Sequence, residues 1–532
     1  IVNACGSMAD LPEDAVLMVP EDFVDTDLIT ALETLWKDPQ KRFALSRRAR
    51  EVILERHSPR ACAEQYARAI ENYYDRTQSG RYELIQALGK LEPLPSNDCE
   101  WLTVAQKIAL NRPRLGNKQL LIDVSVISVH DEATGIQRVC RSILSEFLAH
   151  PPDGFRVEPV YAKPGQLHYR YARQYTLDLL DCPKQVFVDD PVEIFNGDVF
   201  LGPDLAYHLA VEQTDFFAQM RRSGGEVYFI VHDLLPVLMP DKFEEGNSAQ
   251  FDEWLQTVAM GNGAICVSRS LADEMRQWLN AHSLKHNRPF KLGWFHLGAD
   301  VEASFPTRGL PEDAAGVIDK LRSRPTFLVV AWIDPRKGQK QILAAFERLW
   351  DKGLDVNLVM AGKCSWKKEL VQNLRSHPEH GKHFFWLGHL SDEYLAKVYV
   401  ASTCLIAGSE GEGFGLPLVE AARHKLPIIA RDIPVFREVA GEHAFYFSGL
   451  QPEPLANAVK EWMALFYAGQ APQSEGMKWL TWKESTQDLL EIFIGGNWQQ
   501  VWEPETGWRI FPGGTVLRNR RESAQGYLAK AP

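Results

Sequence analysis

Residues 409–420, Ser-Glu-Gly-Glu-Gly-Phe-Gly-Leu-Pro-Leu-Val-Glu, restrict the fold of this chain more than any other stretch. They follow the apolar run Thr403 to Ala407, which reads as a buried strand, and lead into LPLVEAARHK, which has helical periodicity. Gly411, Gly413 and Gly415 let the backbone turn tightly and come close to a ligand. Pro417 suits the first residue of a helix, where its missing N–H costs nothing. A strand, a glycine loop and a helix start in succession form a site for anions, above all phosphates. Glu412 in the loop and Glu420 in the helix flank that site. Carboxylates repel phosphate, so sugar hydroxyls are their expected partners.

Upstream, strand and helix signals alternate as a parallel α/β sheet requires. Strands are predicted at 326–332, 356–362 and 383–388, and helices at 341–349, near 366–376 and at 391–401. The turn Asp334-Pro335-Arg336-Lys337-Gly338 lies at the carboxyl end of the first strand, where open α/β sheets bind ligands. Its adjacent cations, Arg336 and Lys337, suit a diphosphate. An earlier α/β block opens with the strand QLLIDVSV at 119–126, then the polar loop HDEATG and the helix-like IQRVCRSILSEFL. Further strands are predicted at 199–202, 227–231 and 264–267. The second of these ends in His232-Asp233, a pair that points into a cleft rather than a core.

The 409–420 segment resembles the Glu-x7-Glu signature of retaining glycosyltransferases of the GT-B fold, family four. The resemblance covers roughly residues 119–492 and implies two Rossmann-like domains facing across a cleft. It assigns Glu420 to the nucleotide ribose and Glu412 to the donor sugar. The backbone of Gly413, Phe414, Gly415 and Leu416 would contact sugar and diphosphate. Lys337 and Arg336 would hold the diphosphate, although Trp332 stands where many members carry an arginine. His232 would contact the sugar near its anomeric centre, and Asp233 would position the acceptor or its loop. Thr134, Gly135 and Arg138 match a loop that faces the donor diphosphate across the cleft, and Ser268 and HLGAD at 296–300 match the end of the amino-terminal domain. The string Asp-Val-Ser with Thr-Gly-Ile-Gln-Arg is similar to members acting on bacterial surface polysaccharides. The implied reaction moves mannose from GDP-mannose, as co-substrate, onto lipopolysaccharide O-antigen, without metal or other cofactor, since no Asp-x-Asp loop follows a strand.

The 532 residues are too many for one ordinary domain. A formal charge of −12 argues against a nucleic-acid partner, and no apolar run approaches a membrane span. Eight scattered cysteines without a Cys-x2-Cys pair fit free thiols in a reducing cytoplasm. A cytoplasmic enzyme is therefore expected, with peripheral attachment to the inner face of the bacterial inner membrane left open, and a glycan acceptor as its other partner.

Residues 1–75 repeat part of the last third. IVNACGSMADLPEDAVLMVP resembles IIARDIPVFREVAGEHAFYF at 428–447, and each is followed by a helix, DLITALETLWKD or PEPLANAVKEWMAL. ERHSPRACAEQYARAIENYY parallels LTWKESTQDLLEIF, the helix that in this fold crosses back to the amino-terminal domain. The expected organisation is an α/β remnant of a preceding unit at 1–85, a linker at 86–118, an acceptor-side domain at 119–305, a donor-binding domain at 306–478, and a crossover helix with tail at 479–532. The chain opens on Ile1 rather than Met, so its true N-terminus is expected upstream, and the repeat implies a piece of a larger tandem enzyme. Two other readings stand beside this one: another hexosyl- or rhamnosyltransferase of the same fold, and a non-catalytic copy that binds glycan or a partner.

Overall fold

In the computed structural model the structure describes residues 1–88, 90, 100–101, 117–129, 134–183, 187–282, 288–300, 309–363, 368–388 and 390–516. Most of the linker expected at 86–118, the first four residues of HDEATG, and Cys99 and Cys364 lie outside them. The chain divides into two compact units, 1–111 and 112–532.

In the first unit, β1 (Val2–Asn3) pairs in parallel with β2 (Met18–Val19). Helices Asp25–Lys37, Pro39–Arg56 and Pro59–Leu88 follow. The first carries Ile29, Leu32 and Trp36 exposed at helical spacing, an apolar face on one side of the helix.

The second unit holds two sheets. The first contains β3 (Lys118–Asp123), β4 (Phe155–Tyr161), β5 (Arg170–Tyr171), β6 (Val199–Gly202), β7 (Glu226–Val231), β8 (Gly263–Cys266) and β9 (Phe290–Trp294). The second contains β10 (Thr326–Val330), β11 (Asn357–Ala361), β12 (Phe384–Leu387), β13 (Cys404–Ala407), β14 (Ile428–Arg431) and β15 (Ala444–Phe447). Strands such as Leu120–Ile122 and Leu358–Val359 are apolar without alternation because helices cover both sheet faces, and all these residues are fully buried. The expected α/β fold class, with two Rossmann-like domains across a cleft, is what these sheets form.

Strand order in the second sheet is β12-β11-β10-β13-β14-β15, all parallel. This is the doubly wound order, and its direction reverses between β10 and β13. The loops that leave those two strands, the basic turn and the glycine loop, therefore open into one crevice. In the first sheet, which β16 (Asn497–Glu503) and β17 (Gly507–Val516) join, the order is β17-β16-β9-β8-β7-β6-β3-β4-β5, and the corresponding reversal lies between β3 and β6.

Two local readings are corrected. The strand read through Val126 ends at Asp123, because Asp123 accepts from Ser125 N and Oγ, and Asp204 accepts from Val126 N and Ile127 N. The backbone is thus turned by buried carboxylates. Pro417 occupies the second helical position, after Leu416, and not the first. The helix Trp482–Phe493 returns to the amino-terminal domain, where Trp482 N donates to Asp300 at 2.6 Å and Ser485 Oγ to the His296 carbonyl at 2.6 Å. An unanticipated hairpin, β16 (Asn497–Glu503) and β17 (Gly507–Val516), then extends the first sheet through β9. Residues 517–532 of the predicted tail lie outside the described residues.

Candidate active site

Each glycine of the 409–415 loop answers a separate steric demand. A β-carbon on Gly411 would stand 2.6 Å from Leu235 Cδ2, and one on Gly413 would stand 1.6 Å from the His232 carbonyl oxygen. Gly415 has φ +93°, in the left-handed region, and a β-carbon there would meet Phe436 at 2.8 Å. The loop therefore lies flat on the amino-terminal domain, and Ser268 Oγ donates to the Gly413 carbonyl at 2.6 Å. Phe414 turns inward, is buried, and packs on the His296 ring at 5.3 Å between centroids.

The basic turn is built just as tightly. Asp334 accepts from Arg336 N at 2.9 Å, and Gly338 (φ +72°) passes so close to Gly408 that a β-carbon would meet its carbonyl oxygen at 2.4 Å. Lys337 Nζ reaches Glu412 Oε1 at 2.5 Å, and Ser409 Oγ donates to the same oxygen at 2.7 Å. Arg336 is held differently. Its Nε and Nη2 donate to the two Asp334 oxygens, each at 2.9 Å, and its guanidinium lies over Phe243, 4.4 Å from the ring centroid. Burial opposes the Asp334 charge, but Arg336 outweighs it and holds the carboxyl below its usual range.

On the amino-terminal side, Thr134 caps the helix Gly135–Ala149 through a reciprocal bond pair with Gln137. His232 lies just past β7, where Nε2 donates to the Pro203 carbonyl at 2.7 Å. That bond fixes the proton on Nε2, and burial lowers the ring pKa to about 4, so the imidazole is neutral. Asp233 accepts from Leu235 N at 3.0 Å; burial raises its pKa against the opposing charge of Arg336. Asp204 is pushed up to about 7 by burial and then by the charge of Asp123.

Thr134, Gly135, Arg138, His232, Asp233, Arg336, Lys337, Glu412, Gly413 to Leu416 and Glu420, but not Ser268 or Gly411, line one cavity of about 620 Å³ between the two domains. This is the size class of a pocket that encloses a small organic ligand. Lys337, Glu412, His232 and Asp233 stand at one part of its wall, and Arg138, Glu420 and Asp392 are linked at another. The Arg138 guanidinium pairs with Glu420 at 2.9 Å and with Asp392 at 2.7 Å. Among the described residues no group of three or more His, Cys, Asp or Glu is placed to hold a metal ion. No helix of the described residues is long and apolar enough to cross a membrane. The described cysteines are all free, with Cys140, Cys266 and Cys404 buried.

Several residues that build the site carried no signal in the sequence. Tyr399 donates to Glu420 Oε2 at 2.6 Å, and Asp392 takes the second arm of Arg138. Lys242 pairs with Glu410 across the cleft at 2.9 Å. Glu438 accepts from Arg269 N, Ser270 N and His296 Nε2 at 2.7–2.9 Å. Burial works against the Glu438 charge, but those bonds, led by His296, bring its pKa down to about 2. Each of these depends on residues far apart in the chain, so no local motif announces them.

Residues 316–466 match the family described as glycosyl transferases group 1. The chain is 42% identical over 437 residues to the serotype-specific mannosyltransferase WbdA of Escherichia coli, covering 80% of this chain and 51% of the relative. It is 24% identical over 230 residues to the O-antigen chain mannosyltransferase RfbU of Salmonella typhimurium, covering 43% of this chain and 59% of that one. The chain thus spans about half the length of the curated WbdA relatives it matches. Among solved structures, the catalytic domain of starch synthase IV from Arabidopsis thaliana bound to ADP and acarbose aligns with a TM-score of 0.49 at 14% identity, over 71% of this chain and 99% of that one. The basic turn and the glycine loop, which meet at the point where the strand order reverses, both fall within the matched stretch: residues 316–466 form a glycosyl transferases group 1 domain.

Proposed function

We propose that the chain is a retaining glycosyltransferase that moves mannose from GDP-mannose onto a growing cell-surface glycan such as O-antigen. The observation that carries this reading is the Lys337–Glu412–Ser409 constellation, which sets a cation and a carboxylate side by side in the cleft at the doubly wound switch point. The relatives' description as mannosyltransferases supports the sugar. Lys337, with Arg336 beside it, takes the diphosphate oxygens, and Glu412 takes hydroxyls of the donor sugar. The amides of Gly413 to Leu416 at the helix start add to the field on the departing diphosphate, the main electrostatic demand of the reaction. Glu420 holds the ribose, and Thr134 and Gly135 close over the donor. Neutral His232 contacts the sugar near its anomeric carbon, and Asp233 orients the acceptor or its loop.

In the reaction the acceptor hydroxyl oxygen bonds to the anomeric carbon as the bond from that carbon to the phosphate oxygen breaks. Attack comes from the same face, so configuration is retained. The hydroxyl proton passes to the leaving phosphate oxygen, and GDP departs with the bond's electron pair. The positive charge of the turn serves in place of a metal ion.

Residues 1–85 are read as the end of a preceding unit of the same kind. In support, β1 and β2 are parallel neighbours joined through a helical turn and followed by a helix, the same succession as β14, helix Pro434–Ala440, β15 and helix Pro452–Tyr467. The enzyme would work in the cytoplasm or at the inner face of the inner membrane. The deciding experiment is turnover with a panel of GDP-, UDP-, ADP- and dTDP-sugars and a short mannose acceptor. GDP-mannose is expected to be used best, with α-linked product. Best use of a UDP- or dTDP-sugar would replace the donor, and no turnover with any would favour a non-catalytic copy.

A further inference from the structure

Arg138 lies in the first turn of the helix Gly135–Ala149 and reaches across the cleft to two carboxylates of the other domain. Nη1 donates to Glu420 Oε1 at 2.9 Å, and Nη2 donates to Asp392 Oδ1 at 2.7 Å. The second Glu420 oxygen accepts from Tyr399 at 2.6 Å. The side chains of Arg138, Asp392 and Glu420 are 15, 19 and 5% exposed, so both ion pairs stand largely out of water. Such pairs are screened little by salt, and their loss leaves charge stranded in a dehydrated wall. One planar, permanently charged fork spans both acids; a lysine brings a single point charge.

We propose that Arg138 is a positioning residue that couples closure of the cleft to nucleotide binding. It rests on the reading of Glu420 as the ribose-binding acid. Only when the amino-terminal domain lies against the carboxyl-side domain can the guanidinium orient the Glu420 carboxylate and neutralise the Glu420–Asp392 pair. Those acids would otherwise repel each other and an incoming diphosphate. Binding of the nucleoside and closing of the domains therefore favour one another. The contacts at Glu438 and at Lys242–Glu410 hold the domains without touching Glu420, so the nucleoside end closes through Arg138.

The test is a double-mutant cycle on binding of GDP, UDP, ADP and dTDP by calorimetry, with Arg138→Gln, Glu420→Gln and the double variant, alongside steady-state kinetics. Arg138→Gln is expected to weaken the preferred nucleotide on the order of tenfold or more, within the range of coupling between linked sites. In the Glu420→Gln background the same change is expected to cost about twofold or less, because the pair is already broken. The donor KM should rise by a larger factor than kcat falls. Arg138→Lys, a conservative change that guards against misfolding, should fall between parent and Arg138→Gln. Parent-like affinity in both Arg138 variants, additive losses in the cycle, or a fall in kcat with KM intact would overturn the proposal. Preference of the parent for UDP or ADP would overturn the donor reading alone, since the cycle then runs with that nucleotide. A parent that binds none of the four would overturn both.

Discussion

Gly413 and His232 approach so closely that a β-carbon on the glycine would stand 1.6 Å from the histidine carbonyl oxygen. That atom belongs to rigid backbone just past β7 and cannot move aside as a flexible side chain would. Gly413→Ala must therefore push the glycine loop, and Glu412 with it, off the amino-terminal domain. Displacement by about 1 Å at a reacting centre costs on the order of 10²-fold in rate. Sugar transfer should fall by that factor or more, while the isolated fold, followed by circular dichroism, persists. Parent-like turnover of Gly413→Ala would show that the closed contact plays no part in catalysis.

The two glutamates should separate in kinetics. Glu412→Ala removes a group placed at the donor sugar, so turnover should drop by about 10²-fold or more. Nucleotide binding should be kept, because Lys337 loses the carboxylate that competes with the diphosphate. Glu420→Ala removes an interaction made in ground and transition states alike, and should chiefly weaken GDP. Calorimetry with GDP and single-turnover rates check the pair. Normal binding and normal turnover in both variants would leave the motif a structural helix start.

His232 gives a pH signature. Its folded pKa of about 4 lies below the unfolded value of 6.5, so the unfolded chain takes up the proton first. Its contribution is fully present above pH 6.5 and is lost as pH falls toward 4. At most about 3.5 kcal/mol is involved, at about 1.4 kcal/mol per unit. Asp123, Asp204 and Glu274, raised to about 6, 7 and 7, act with the opposite sign over part of this window, so the parent alone is ambiguous. His232→Gln keeps a donor for the Pro203 carbonyl and removes the titration. Its Tm should decline less than the parent's between pH 7 and 4.5, and equal declines would refute the assignment.

Transfer should survive excess EDTA, since Lys337 and Arg336 are proposed to supply the positive charge at the diphosphate. Complete loss in EDTA, restored by manganese or magnesium, would overturn the role given to this basic pair.

Deleting residues 1–85 should leave residues 119–492 folded and transfer measurable, because every proposed donor contact lies in the second unit. Removal of exposed Ile29, Leu32 and Trp36 should also change solubility. A truncated protein that folds and binds GDP yet transfers no sugar would tie the first unit to the active site.

The stretch 403–423 was legible in the sequence because its requirements are local. Cys404–Ala407 is an uninterrupted apolar strand, Gly415 needs a left-handed backbone, and the 416–423 helix shows its own periodicity. The same holds for the basic turn, where Asp334 caps its own neighbours. Tertiary structure decided the rest. Arg336 and Lys337 are adjacent cations in sequence, yet Asp334 and Phe243 engage the first, and only the second reaches Glu412. The end of β3 at Asp123 depends on Asp204, which stands 78 residues beyond Val126. The Arg138–Glu420 pair joins residues 282 apart, and Tyr399 completes the Glu420 site from a third element. Periodicity and backbone conformation act over a few residues and are written locally. Pairing of charges across a cleft depends on how two separately folded sheets meet.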